Sequence, residues 1–163
     1  MAGARTVMVS DPVAERRRLA LTLGATDALD PADTDVVAAA HDLTPDGIGV
    51  DWAFDAAGRS ALVVAGLDAT RKAGTTVMVG VPPLDDPLTH PLPAAIAAGG
   101  KQLIGCLLGS CNALRDIPGL VALARSGQLD LEALITARRP LAEVNDALDD
   151  LRTATGVRTV LSL

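Results

Sequence analysis

Along this chain, short apolar runs of four to eight residues alternate with longer stretches of helical period, the pattern of a parallel sheet whose strands are joined by crossover helices. "RTVMVS" (5–10) reads as the first strand, and "VAERRRLALTLG" (13–24) as the helix after it, closed by Gly24 at a C-cap position. A short strand around Ala28 and Leu29 follows, then a helix near 34–43 with Asp33 as its cap and Pro45 and Gly47 ending it. "GVDWAFDAAG" (49–58) predicts a third strand, 60–70 a helix, and "GTTVMVGV" (74–81) a fourth strand. These strands are apolar at nearly every position, which implies burial on both faces. "PPLDDPLTHPLP" (82–93) holds five prolines and reads as an irregular crossing of the surface. After a short helix, "KQLIGCLLG" (101–109) is another apolar strand, with helices at about 112–126 and 140–153 beyond it. In the last helix Leu141, Val144, Leu148 and Leu151 form one stripe expected to face the core. "VRTVLSL" (157–163) closes the chain as a strand expected to insert into the sheet.

Composition narrows this α/β reading. A chain of 163 residues is one ordinary domain, long enough to bury roughly two thirds of its unfolded surface. Its core must be aliphatic, because Trp52 and Phe54 are its only aromatic residues, and stacking on nucleic-acid bases is thereby excluded. A net charge of −6 repels nucleic acid and anionic membranes, so neither is expected as a partner. No apolar run reaches the roughly 18 residues of a membrane span, and the N-terminus lacks a signal pattern, which gives a cytoplasmic expectation. Cys106 and Cys111 stand far from His41 and His90 in sequence. Four-ligand zinc spacing is missing, and both cysteines are expected to be inert packing residues.

The candidate chemistry starts at Asp11, the aspartate that ends the first strand. It is either a helix cap ahead of Pro12 or a carboxylate that accepts both ribose hydroxyls of NAD and repels the 2′-phosphate of NADP. Arg16, one turn into the helix, could lie beside that ribose or the pyrophosphate, or belong with Arg17 and Arg18 to a solvated face. Gly47 and Gly49 form a G-x-G, but they precede a strand, whereas phosphate-cradling glycines must follow one. Neither G-x-G-x-x-G, a P-loop nor a G-x-S-x-G elbow occurs. Asp85–Asp86 and Asp149–Asp150 read as solvated pairs, and His41 and His90 as surface histidines.

Five stretches in register carry a resemblance: "LGATDALDP" (23–31), "GVDWAFDAAGR" (49–59), "GTTVMVGVPP" (74–83), "LDLEALIT" (129–136) and "RTVLSL" (158–163). From about Ala2 to Leu163 the chain resembles the coenzyme-binding half of zinc-type, medium-chain alcohol dehydrogenases, in the branch that includes the glutathione-dependent formaldehyde dehydrogenases. The resemblance implies NAD as cofactor and assigns roles position by position. Asp11 matches the ribose-binding acid and Arg16 the basic residue five positions on. Ala56, Ala57, Gly58 and Arg59 match the loop under the adenine and its ribose. Val79, Gly80 and Val81 match the strand end that meets the nicotinamide and its ribose. Cys106, Leu107 and Leu108 match the backbone that bonds the carboxamide, and Arg158 matches an arginine near the pyrophosphate.

In this alignment "MAGARTVMVSD" begins at the end of the family's first helix. The family's first strand, its glycine-rich loop and the N-terminal zinc-bearing catalytic domain have no counterpart here, so zinc belongs only to that absent domain. The expected fold is an incomplete Rossmann-type doubly wound parallel sheet with two unpaired edges where the first strand would lie. The expected function is the NAD-binding portion of a zinc-dependent alcohol dehydrogenase, without dehydrogenase activity alone and with weak or no NAD binding. Its partners would be a second copy, forming a homodimer through the 101–109 strand, or a chain supplying the missing domain. The competing reading is a non-catalytic dimerisation or assembly module, a truncated relic or one half of a split enzyme.

Overall fold

The structure, a computed structural model, describes residues 3–163; the N-terminal limit of the resemblance, about Ala2, lies outside the described residues. In chain order the elements are β1 (Met8–Ser10), α1 (Ala14–Thr22), β2 (Asp27–Leu29), α2 (Val36–Asp42), β3 (Val50–Asp55), α3 (Ser60–Ala69), β4 (Thr70–Met78), α4 (Leu92–Gly99), β5 (Gln102–Gly105), α5 (Ala113–Arg125), β6 (Ile135–Pro140), α6 (Val144–Arg152) and β7 (Arg158–Ser162). Every strand pairing is parallel, as a strand–helix–strand chain requires. The strands nevertheless form three sheets rather than one: β1–β2, β3–β4–β5 and β6–β7. No described pairing joins β1 to β3. That interruption falls where the resemblance puts the family's first strand. The closing strand β7 pairs with β6 alone, not with a larger sheet. No helix among the described residues is long and apolar enough to cross a membrane.

The chain divides into two compact units, one made of the residues up to Ala32 together with Asn112–Leu163, the other of Asp33–Cys111. In the first, α1 ends where the sequence predicts. Gly24 adopts φ +103, its amide donates to the Leu21 carbonyl, and the Ala25 amide reaches the Ala20 carbonyl. This pair of bonds is a Schellman closure, and a side chain at position 24 would strain it. The sequence pattern does not predict strand β6, because two arginines and a proline in "ITARRP" hide its alternation. Its burial nevertheless alternates, with Arg139 turned inward. There Arg139 pairs with Glu143 at 3.1 Å and Asp150 at 2.8 Å, and the two carboxylates hold its guanidinium above its ordinary pKa. The predicted stripe on α6 is not the buried face. Leu141, which lies in a 3₁₀ turn before the helix, and Leu148 and Leu151 are exposed, and Ala147 is the buried residue. A sheet of only two strands covers a narrower strip than the stripe needs.

The second unit holds most of the buried apolar side chains: Ala40, Val63, Leu67, Ala69 and Val77. Helix α3 lies on the face of β3–β4 that carries Ala53 and Thr76. A Cβ on Gly66 would stand 3.4 Å from the Ala53 Cβ and 3.0 Å from the Thr76 Cγ2. The opposite face is uncovered at β3, where Trp52 and Phe54 are 56% and 66% exposed with rings stacked 6.4 Å apart. Burial on both faces, expected from the apolar run, therefore fails at this strand. Helix α2 is capped by Asp35 rather than Asp33, its carboxylate accepting from the Val37 and Ala38 amides at 2.9 and 3.0 Å. Helix α4 starts at Leu92, inside the proline-rich run, since a proline in the first turn gives up only an amide that has no helical partner.

Candidate functional site

In parallel α/β sheets, ligands meet the loops at the carboxyl ends of the strands. Three such loops in the second unit contain most of the residues singled out above. β3 ends at Asp55, which is 6% exposed. Its carboxylate Oδ1 accepts from the amides of Ala57 (3.0 Å) and Gly58 (3.2 Å), and Oδ2 accepts again from Gly58 at 3.2 Å. Its carbonyl accepts from Val79 and Gly80, both at 2.8 Å. The loop after β3 and the loop after β4 are therefore tied to one residue that the sequence reading did not single out.

These two loops are also in direct contact. A Cβ on Gly80 would stand 2.1 Å from the Gly58 amide nitrogen, and one on Gly58 would stand 2.7 Å from the Val81 carbonyl oxygen. Only glycine fits at either position. The predicted strand 74–81 stops at Met78, so Val79, Gly80 and Val81 belong to the loop, where Val81 is 80% exposed. The third loop follows β5. The Cys106 amide donates to the Met78 carbonyl at 2.8 Å, and then Leu108, Gly109 and Ser110 all adopt positive φ, with Leu107 and Leu108 exposed. Non-glycine residues in that region are strained and cluster at functional sites. Cys111 is exposed with its Sγ against the Leu108 carbonyl, so it is not a packing residue; Cys106 is half-buried.

At the start of α3, Arg59 is exposed and serves as the cap residue without a side-chain bond. Asp86 supplies the cap instead, its carboxylate accepting from the Ser60 amide at 2.9 Å while the Ser60 hydroxyl donates to the Asp86 carbonyl. Asp86 is thus committed to structure and is not a merely solvated aspartate. Asp149 and Asp150 are paired likewise, with Arg152 and Arg139. The histidines are not free surface groups either. His90, its side chain 8% exposed, meets the Asp68 carboxylate at 3.0 Å, and the ring nitrogens of His41 lie against the carbonyls of Gly47 and Asp68. Nearby, burial lowers the Lys101 ammonium below its ordinary pKa, with Asp68 pulling the other way.

The remaining candidates lie in the first unit. Asp11 is not the helix cap: α1 starts at Ala14 with Val13 as its cap residue and no side-chain cap bond. Asp11 Oδ1 accepts from the Val13 amide at 2.7 Å in the turn before the helix, while among the described residues its Oδ2 has no hydrogen-bond partner. Arg16 is occupied: its Nε donates to the Gly156 carbonyl and its Nη2 to the Ala154 carbonyl, which ties α1 to the turn before β7. Arg17 is the arginine beside Asp11, donating to its carbonyl at 2.6 Å and pairing with Asp30 at 2.7 Å. Arg158 starts β7 exposed, and its guanidinium has no hydrogen-bond partner among the described residues. No group of three or more His, Cys, Asp or Glu side chains among the described residues could hold a metal ion.

Parallel strands with crossover helices, and close-packed glycine and alanine loops at their carboxyl ends, define a Rossmann-type α/β chain. The comparisons make the class specific: the chain belongs to the zinc-binding dehydrogenase family, whose model matches residues 1–126. It is similar to the NDMA-dependent alcohol dehydrogenase of Amycolatopsis methanolica, 35% identical over 162 residues, which are 98% of this chain and 43% of that protein. An alcohol dehydrogenase zinc-binding domain protein from Burkholderia ambifaria superposes with a TM-score of 0.92 at 33% identity, covering 99% of this chain and 43% of that one. A zinc-binding dehydrogenase from Sinorhizobium meliloti 1021, solved with NADP bound, superposes with a TM-score of 0.86 at 29% identity over 99% of this chain and 46% of that one. The chain spans less than half the length of the curated relatives it matches.

Proposed function

We propose that this chain is the NAD-holding portion of a zinc-dependent alcohol dehydrogenase, which positions the cofactor and does not itself activate the alcohol. The observation that carries this reading is the loop pair 56–59 and 79–81. Its backbones meet where only glycine fits at 58 and 80, which sets the two loops side by side at the carboxyl ends of β3 and β4, where a ligand of such a sheet meets the protein. In the first unit, taken by itself, Asp11 has the chemistry for a ribose hydroxyl: among the described residues its Oδ2 has no partner and could accept while Oδ1 stays on Val13. The same negative charge disfavours a 2′-phosphate, so NAD is the cofactor assigned here, although the Sinorhizobium relative holds NADP. Arg158, exposed at the start of β7, is a cation that could meet a phosphate; Arg16, held by two carbonyls, serves the fold.

When bound, the nicotinamide supplies the hydride chemistry. This chain's residues would bind and orient it: the backbone at Val79, Gly80 and Val81 at the nicotinamide ribose, and that at Cys106, Leu107 and Leu108 at the carboxamide. No step is assigned to zinc, because the described donor residues do not cluster as a metal site. Titrating NADH into the purified chain and following nicotinamide fluorescence tests the reading. Saturable binding with a dissociation constant near or above about 1 mM is expected, equivalent to about 4 kcal/mol. Asp11→Ala should weaken it about tenfold, the loss of one charge-assisted hydrogen bond, and NADPH should bind more weakly than NADH. A folded chain that binds neither nucleotide rules the reading out.

A second reading, an assembly module, is favoured by the outer edges of β3 and β5, each paired on one side only among the described residues. A second copy joined through the 101–109 segment, or a companion chain carrying the zinc domain, would cover such an edge. Sedimentation at two concentrations separates a self-associating chain from a monomer that awaits a companion.

A further inference from the structure

We propose that Asp55 is the positioning residue of the cofactor loops, an assignment that rests on the cofactor reading above. Ala56, Ala57, Gly58, Val79, Gly80 and Val81 carry no side chain that can form a hydrogen bond. If these segments present their backbones to a ligand, something else must fix them. Asp55 does so with two different groups: the carboxylate takes the amides of Ala57 and Gly58, and the carbonyl takes those of Val79 and Gly80.

The burial of Asp55 supports this role over a packing one. A carboxylate removed from water is retained only where hydrogen bonds replace its hydration, and here the replacements are loop amides rather than a cation. No ion pair to Asp55 is found among the described residues. The Gly58 amide that the carboxylate holds also lies at the crossing with Gly80, where an added Cβ would stand 2.1 Å from its nitrogen. The Asp55 side chain therefore fixes the wall at Ala57 and Gly58 directly, while its main chain fixes the wall at Val79 and Gly80.

The test compares the full chain with Asp55→Ala and Asp55→Asn, using NADH titration by amide NMR at a temperature where circular dichroism shows each variant folded. Asp55→Ala should weaken NADH at least about tenfold and speed hydrogen exchange at Ala57 and Gly58. Exchange at Val79 and Gly80, whose acceptor is the main chain, should change less. Asp55→Asn keeps an Oδ1 acceptor and should fall between the two. A purely structural role would lower the melting temperature while leaving the affinity of the folded chain unchanged. Wild-type affinity in folded Asp55→Ala, or unchanged exchange at Ala57 and Gly58, overturns the proposal and leaves the cofactor reading standing. Where Asp55→Ala does not fold, Asp55→Asn decides: a loss of about threefold or more supports the role, and unchanged affinity overturns it. A wild-type chain that does not bind NADH overturns the cofactor reading and the positioning role together.

Discussion

Gly80→Ala should unfold the Asp33–Cys111 unit or lower its stability by more than about 3 kcal/mol, the upper range for overpacking. The added Cβ would lie 2.1 Å from the Gly58 amide nitrogen and 2.6 Å from its Cα, and both obstacles are backbone rather than the movable end of a side chain. Relief requires separating the loops, which breaks the bonds from Val79 and Gly80 to the Asp55 carbonyl. Gly105→Ala is the matched control. Position 105 has open space and no positive φ, so its urea midpoint should stay within about 0.5 kcal/mol of the parent. Equal midpoints for the two variants would mean that the loops do not touch in solution.

Leu67→Ala should cost about 2–5 kcal/mol, the range for truncating a buried leucine. Leu67 is fully buried and is the largest such side chain, in a unit whose buried apolar set is otherwise alanine and valine. Against a total stability of about 5–15 kcal/mol, that loss leaves a marginal unit at best. Leu62, on the same helix but 45% exposed, supplies the comparison: Leu62→Ala should cost less than about 1 kcal/mol. Thermal melts followed at 222 nm suffice. Similar losses at 62 and 67 would contradict the packing of α3 described above.

Much of this architecture is legible in the sequence because it depends on local rules. Helix α3 and strand β2 fall within a residue or two of their predicted limits, and Gly24 announces the end of α1 through its left-handed backbone. Asp35 shows the limit of such rules. Asp33 and Asp35 are equally good caps by type, and only the start of the helix at Val36 decides between them. Strand β6 stayed hidden because Arg139 points inward to meet Glu143 and Asp150, and an inward arginine breaks the apolar alternation by which strands are read. For the candidate site, the loop segments come from the resemblance, and the sequence reading does not single out Asp55, although its carboxylate bonds lie only two and three residues away. Asp86 and the two histidines read as solvated groups, whereas the structure gives each a partner. Asp86 acts on a residue 26 positions earlier, and His41 and His90 meet Asp68 across 27 and 22 positions. Pairings of that range are made by the fold and leave no spacing to recognise.

The exposed ring pair on β3 has a practical consequence. The chain contains one tryptophan, one phenylalanine and no tyrosine. Trp52 therefore supplies nearly all of the molecule's ultraviolet absorbance near 280 nm and its intrinsic emission, from a single indole stacked on Phe54 at the edge of one sheet. The protein is in effect labelled at one place, and its spectrum reports solvent contact at that edge.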